Sequence, residues 1–266
     1  MLEGAPSGGA PKPARPEFEE DAFSMAGHNR WTKIKRQKEA MGATKGKLFT
    51  KLIREITVAA RNGGGDPAAN YRLRAAIEAA RDANMPSDKI QAAIKRGTGE
   101  MEGVNYEEVV YEGYGPGGVA LIVECMTDNR NRTAGEVRHL FTKGGGSLGE
   151  TGSVAWMFDR VGMIHVAPGR SEDEVMEIAI EAGASDVIHL DEDGFEIRTA
   201  MGDLHEVAEA LIARGLEVRA RKLVYAPKTE VVVEGEQAGQ VLRLVELLED
   251  CDDVQEVHGN FVVAEP

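Results

Sequence analysis

The residues with the clearest chemical potential form one cationic run. It reads His28-Asn29-Arg30-Trp31-Thr32-Lys33-Ile34-Lys35-Arg36-Gln37-Lys38, and Lys45, Lys47, Lys51 and Arg54 follow it. Such cations neutralise phosphates and release counterions, which requires only that they be correctly placed. On a helical wheel Lys33 and Arg36 fall roughly opposite Trp31 and Ile34, so they can meet phosphates while the apolar side packs. His28 and Trp31 can stack on bases, though a core role is the better reading of Trp31. Arg72, Arg74, Arg81, Lys95 and Arg96 either extend the cationic surface or balance helix acids.

A second constellation is Thr127-Asp128-Asn129-Arg130-Asn131-Arg132-Thr133, where a strand is expected to end and a helix to begin. Free N–H groups at a helix start favour anions, and two arginines add charge. That makes Asn129, Arg130 and Arg132 candidates for an anion or a partner. The equally weighted alternative is a capped helix start, with Asp128 or Asn129 as the cap.

Other motifs fall short of chemistry. Gly113–Gly118 precedes a strand instead of joining a strand to a helix, so it is no dinucleotide fingerprint. Gly42–Leu48 lacks the P-loop spacing and has Leu48 where a magnesium-binding hydroxyl belongs. Gly144–Gly146 with Gly149 and Gly152 reads as a flexible loop, available to a partner. His205-Glu206 has no second histidine at zinc spacing, and Asp191–Gly194 is a turn without the rest of a calcium loop. Cys125, in an apolar strand, reads as an inert core thiol. No catalytic constellation emerges, so the expectation is a protein that is not an enzyme, with no cofactor and no metal.

The elements that must position these residues divide by charge. The chain has 266 residues and a net charge of −14. Residues 1–24 carry −3, residues 25–100 carry +9 and residues 101–266 carry −20. A basic segment on an acidic body implies an electrostatic partner for one part only. No apolar run is long enough for a transmembrane helix, and two cysteines suit a reducing cytoplasm.

Residues 1–24 read as a disordered tail, with Met25 as the native start. Residues 25–102 read as a basic helical domain. Gly63–Gly65 stops its longest helix, Asp66-Pro67 starts the next, and Gly97 closes the last as a left-handed cap. The two helices at 67–83 and 87–96 resemble a helix-turn-helix only in layout. Beyond them the order is mixed: strand 119–126, helix 130–143 and strand 154–158. Strand 161–166, helix 172–182, strands 186–190 and 195–199, helix 204–214 and strand 216–224 then give a βαββαβ unit. Strand 229–233, helix 237–249 and strand 255–263 close the chain. The expected fold class is α+β: an N-terminal helical domain followed by two ferredoxin-like α+β domains, one inserted in the other. Residues 103–158 and 227–266 form the discontinuous domain, and residues 159–226 the inserted one.

Met25–Trp31, Lys47–Ile56, Gly63–Pro67, Ala83–Pro86 and Ile94–Gly99 together resemble the YebC/PmpR family. Thr127–Thr133 and Leu148–Trp156 resemble the same family, and the likeness spans residues 25–266. It departs from the family's usual residues at Asn29, Gly42 and Thr44. The resemblance implies three domains, a cytoplasmic location, no catalysis, and a role in transcription regulation through DNA binding. It also implies an alternative: a ribosome-associated translation factor that binds ribosomal RNA and aids difficult peptides such as proline runs, as mitochondrial relatives activate translation. A third reading, a ligand-binding ferredoxin-like protein, would make the basic face incidental. Nucleic acid is the expected partner, with a protein partner for the acidic domains and no membrane.

Overall fold

The computed structural model describes residues 45–264. The tail, Met25, the run from His28 to Lys38 and the Lys45 side chain lie outside the described residues.

Helix α1 (Lys45–Gly63) turns Phe49, Leu52, Ile53, Ile56, Ala59 and Ala60 to one side, a stripe at helical spacing. It ends where Gly64 takes φ +84°, a left-handed conformation suited to glycine. Helix α2 (Tyr71–Asp82) starts later than expected. Asp66 and Pro67 lie in the preceding turn, and Asn70 is the N-cap, accepting from Leu73 N at 3.1 Å. The Asn70 amide donates to Ala59 O and Gly64 O at 2.7 and 2.8 Å, which ties the α1–α2 turn together.

Helix α3 (Ser87–Gly97) carries Asp88 in its first turn and Lys95 and Arg96 in its last, signs that complement the helix dipole. Gly97 is not the left-handed cap. It is buried inside α3 against α1, where a Cβ would meet Thr57 O at 2.4 Å, and Gly99 carries the positive φ of +81°. Helices α2 and α3 both pack chiefly on α1 rather than as a free-standing pair. Their core is separate from those of the other units.

The second unit is a four-stranded antiparallel sheet. Strand β1 (Glu107–Tyr114) and β2 (Ala120–Thr127) form a hairpin, and helix α4 (Arg130–Lys143) leads to the short β3 (Ser147–Leu148). After a long excursion the chain returns through β8 (Val231–Val233), helix α7 (Gly235–Glu249), β9 (Val254–Gly259) and β10 (Phe261–Val263). The order is β3-β1-β2-β9, so a strand from beyond the excursion pairs directly with β2. β2 is covered on both faces. Leu121, Val123 and Cys125 join the α4/α7 core, while Ala120 and Ile122 meet Val154 and Phe158. That is why β2 reads as an apolar strand interrupted only by Glu124 before it ends at Thr127.

The excursion is the expected βαββαβ unit: β4 (Phe158–Val166), α5 (Glu172–Glu181), β5 (Asp186–His189), β6 (Phe195–Thr199), α6 (Leu204–Ala213) and β7 (Val218–Pro227). Its antiparallel order β5-β6-β4-β7 is the ferredoxin-like one. The overall class is therefore α+β, with an N-terminal helical unit and a second α+β unit inserted in the first.

Three local expectations are corrected. Ala155–Met157 is a 3-10 turn and the strand begins at Phe158. The terminal strand breaks at Asn260 into β9 and β10, because the Asn260 side chain accepts from Ala120 N at 2.7 Å while β10 turns to pair in parallel with β8. The discontinuous α+β unit also opens with the β1–β2 hairpin, which the expected layout lacked.

Candidate nucleic-acid interface and its acidic corner

Of the expected cations, Lys47, Lys51 and Arg54 lie on α1 with described side chains. All three turn toward the loop that follows α7. Lys47 Nζ donates to Asp250 O and Asp250 Oδ1 at 3.1 and 3.2 Å. Lys51 Nζ donates to Glu249 O at 2.9 Å. Arg54 goes deepest: its side chain is 10% exposed, and one terminal nitrogen reaches Asp253 Oδ1 at 2.7 Å, Asp252 O at 2.5 Å and Met126 O at 3.0 Å. The Tyr106 ring sits 5.1 Å from the guanidinium carbon. Arg54 thus acts as an inter-unit tie in this arrangement, not as an outward cation.

The 127–133 turn caps α4, the second of its two readings. Asn129 is the N-cap of α4, accepting from Arg132 N at 3.1 Å. Arg132 of this turn meets a carboxylate of the chain itself, Asp253. The Asp253 carboxylate accepts from Thr133 Oγ1 at 2.6 Å and from Arg132 Nη2 at 2.8 Å, with Thr127 Oγ1 at 3.4 Å. Burial alone would raise the Asp253 carboxyl, but the bonds from Arg132 and Thr133 and the charge of Arg54 outweigh it and hold it below its ordinary value. Arg132 also pairs with Asp128 at 2.7 Å, and Arg130 faces Glu107 at 3.6 Å. Between α1 and this corner opens a cleft of about 430 Å³, lined among others by Lys47, Arg54, Arg132 and Asp250.

Sequence reasoning missed the carboxylates that organise the site. Asp253 stands in an acidic run to which the sequence alone assigns no role, and only tertiary contact reveals its partners. Glu112 is similar. Its buried carboxylate accepts from Gly152 N, Val154 N and Ala155 N at 2.7, 2.8 and 2.7 Å, and Tyr114 Oη donates to Ser153 O at 2.8 Å. Burial would raise the Glu112 carboxyl, yet these three donors lower it. The glycine-rich loop expected to be flexible is therefore pinned. It presents Trp156, 65% exposed, whose indole donates to Ser153 O at 3.1 Å.

Arg72 is an inter-element tie, bonded to Glu55 at 2.7 Å and Glu108 at 2.5 Å. Tyr71 joins the helical unit to the inserted one, with its ring 5.3 Å from that of His205 and 5.2 Å from the Arg221 guanidinium. Between the two sheets, Glu124 accepts from Arg160 at 2.7 Å and lies 2.9 Å from His258 Nε2, while Lys222 engages Glu256. Glu124, Glu256 and His258 bring potential metal-ligand atoms within 4.8 Å of one another. Because Arg160 and Lys222 already engage both carboxylates, the arrangement functions as an ion-pair clasp. Cys125 is buried as expected, and burial pushes its thiol up, so it is a poor nucleophile. No described helix is long and apolar enough to cross a membrane.

A helical unit tied by salt bridges to a nested pair of α+β units defines a three-part protein, and known sequences share this plan. Residues 29–100 match the model described as "TACO1/YebC protein N-terminal domain", and residues 106–261 match "TACO1/YebC second and third domain". The chain belongs to the TACO1/YebC family. It is 58% identical over 239 residues to a probable transcriptional regulatory protein of Myxococcus xanthus, covering 90% of this chain and 96% of that one. A protein of the same description from Persephonella marina is 56% identical over 243 residues, covering 91% and 97%. The crystal structure of a conserved hypothetical protein from Aquifex aeolicus is also similar, with a TM-score of 0.78 and 50% identity over 84% of this chain and 93% of that chain. The named relatives place this chain among regulatory proteins.

Proposed function

We propose that the protein is a nucleic-acid-binding regulator of gene expression in the cytoplasm that works by binding and not by catalysis. The observation that carries this reading is the charge layout: +9 over residues 25–100 against −20 over residues 101–266. Phosphates are attracted to the first part and repelled by the second. In this reading the working divisions are 25–102, the discontinuous 103–158 with 227–266, and the inserted 159–226. His28, Arg30, Lys33, Lys35, Arg36, Lys38 and Lys45 are the primary phosphate contacts, with Lys47 and Lys51 beside them. The relatives' names speak of transcriptional regulation, and DNA is the target that this reading proposes.

A second reading, contact with ribosomal RNA on the ribosome, draws on the same charge layout. An acidic body resists a long duplex but tolerates a local site where RNA and protein surfaces alternate. The test is sedimentation of host lysate through a sucrose gradient, comparing the wild-type chain with one in which Lys33, Lys35, Arg36 and Lys38 are replaced by Gln. Co-migration with ribosomes that the variant loses supports the RNA reading. Wild-type protein that stays at the top, yet shifts a DNA duplex with an affinity that falls steeply with salt, supports transcription. Binding to either target that the variant retains unaltered would sink the basic segment as the contact surface.

A further inference from the structure

The cations of α1 pose a puzzle that the charge layout alone does not raise. They continue the basic segment, yet Lys47, Lys51 and Arg54 all end on the chain's own acidic corner, Glu249–Asp253. We propose that this corner is an internal surrogate for a nucleic-acid backbone: a latch that occupies the α1 cations until phosphates displace it. The inference rests on the nucleic-acid reading above and deepens it by naming how the surface is regulated.

Four observations carry it. The contacts are of the kind a phosphodiester makes, with carboxylate and carbonyl oxygens accepting from lysine and arginine at 2.5 to 3.2 Å. They are graded in exposure: the Asp250 side chain is 77% exposed and Lys47 42%, while Arg54 and Asp253 are 10% and 5%. A polyanion can therefore compete at the outer rung before the inner one is disturbed. The fit is also incomplete, because Arg54 Nε is buried and finds no acceptor among the described residues. Lastly, the helical unit has its own apolar core, and the ties named here between it and the body are polar or aromatic. Release at the outer rung therefore need not open a hydrophobic core. The segment from Thr98 to Asn105 joins the two and contains Gly99 at φ +81°.

The test uses the full chain and two probes, a mixed-sequence single-stranded RNA and a mixed-sequence DNA duplex. Asp250→Asn with Asp252→Asn removes two charges from the corner and leaves Asp253 in place. Asp173→Asn with Glu177→Gln removes two from the exposed side of α5 as a control of equal net charge. The latch predicts roughly threefold to fivefold tighter binding for the corner variant than for the control, the scale of one exposed ion pair. Lys47 and Asp250 are also close enough for a zero-length carbodiimide cross-link, which mass spectrometry reads. Saturating probe should suppress that cross-link, and the cross-linked fraction should bind more weakly than untreated protein. Equal gains by corner and control variants, or a cross-link that saturating probe leaves unchanged, would overturn the latch while the nucleic-acid reading stands. If the wild-type chain retains neither probe, that reading falls and the latch with it.

Discussion

Asp253 shows how much one carboxylate can organise. It stands among Arg54, Arg132, Thr127 and Thr133, and so joins α1, the start of α4 and the loop before β9. Replacing it with Ala would leave the Arg54 guanidinium buried beside carbonyls and the Tyr106 ring, without its paired carboxylate. Breaking a buried pair from one side costs about 3–5 kcal/mol, and the half-exposed Arg132 adds little. Urea unfolding of Asp253→Ala should show that loss, with Arg132→Ala costing far less. Glu112 supports a different prediction. A Gln there keeps the shape but turns an N–H₂ toward backbone donors, at about 1–3 kcal/mol. Amide exchange should speed up at Gly152, Val154 and Ala155, and an unchanged rate would show that the loop does not depend on the carboxylate.

At the scale of elements, the decisive contact is the crossing of α1 and α3. Gly97 lets the two backbones approach where any side chain would strike Thr57 O or Ala60 Cβ. Gly97→Ala should destabilise the helical unit by about 1–3 kcal/mol through overpacking, although alanine is the better helix former. Gly99→Ala should also destabilise, for a different reason: open space surrounds it, but its φ is left-handed. Thermal unfolding of the two variants separates a packing cost from a backbone one. The sequence marked the glycines of this stretch but not their division of labour, since a turn glycine and a crossing glycine look alike until the second helix is in place.

For the molecule as a whole, ionic ties at the joints between units, beside the small apolar cluster of Ala120, Ile122, Val154 and Phe158 that also joins the two α+β units, imply a specific response to acid. Asp253 and Glu124 both lie at joints between units. For both, burial pushes the carboxyl up, and their cationic or imidazole partners more than reverse it. A carboxyl held below its unfolded value stabilises the fold fully above that value. The contribution is lost as pH falls through the lowered, folded-state one. Stability should therefore be level above the ordinary carboxylate range and decline below it. The joints should loosen before the cores, so cleavage after Glu100 and Glu102 by a Glu-specific protease should rise while core amides stay protected. A single cooperative loss of all protection would show that the units do not respond separately.

The sequence alone carried the family likeness, the three-part α+β plan, nearly every helix and the ferredoxin-like order. These rest on local periodicity, caps and turn residues, which neighbours in the chain determine. It also located the cationic segment and the 127–133 turn, because residue type and spacing are enough to mark excess charge. What occupies that charge was decided only by tertiary structure. Arg54 and Asp253 are separated by 199 positions, and no local pattern joins them. The same holds for Glu112 and the loop it pins, and for the Glu124 clasp. An ion pair between distant elements depends on where the apolar cores hold the backbones, and that is set only once the whole chain has packed.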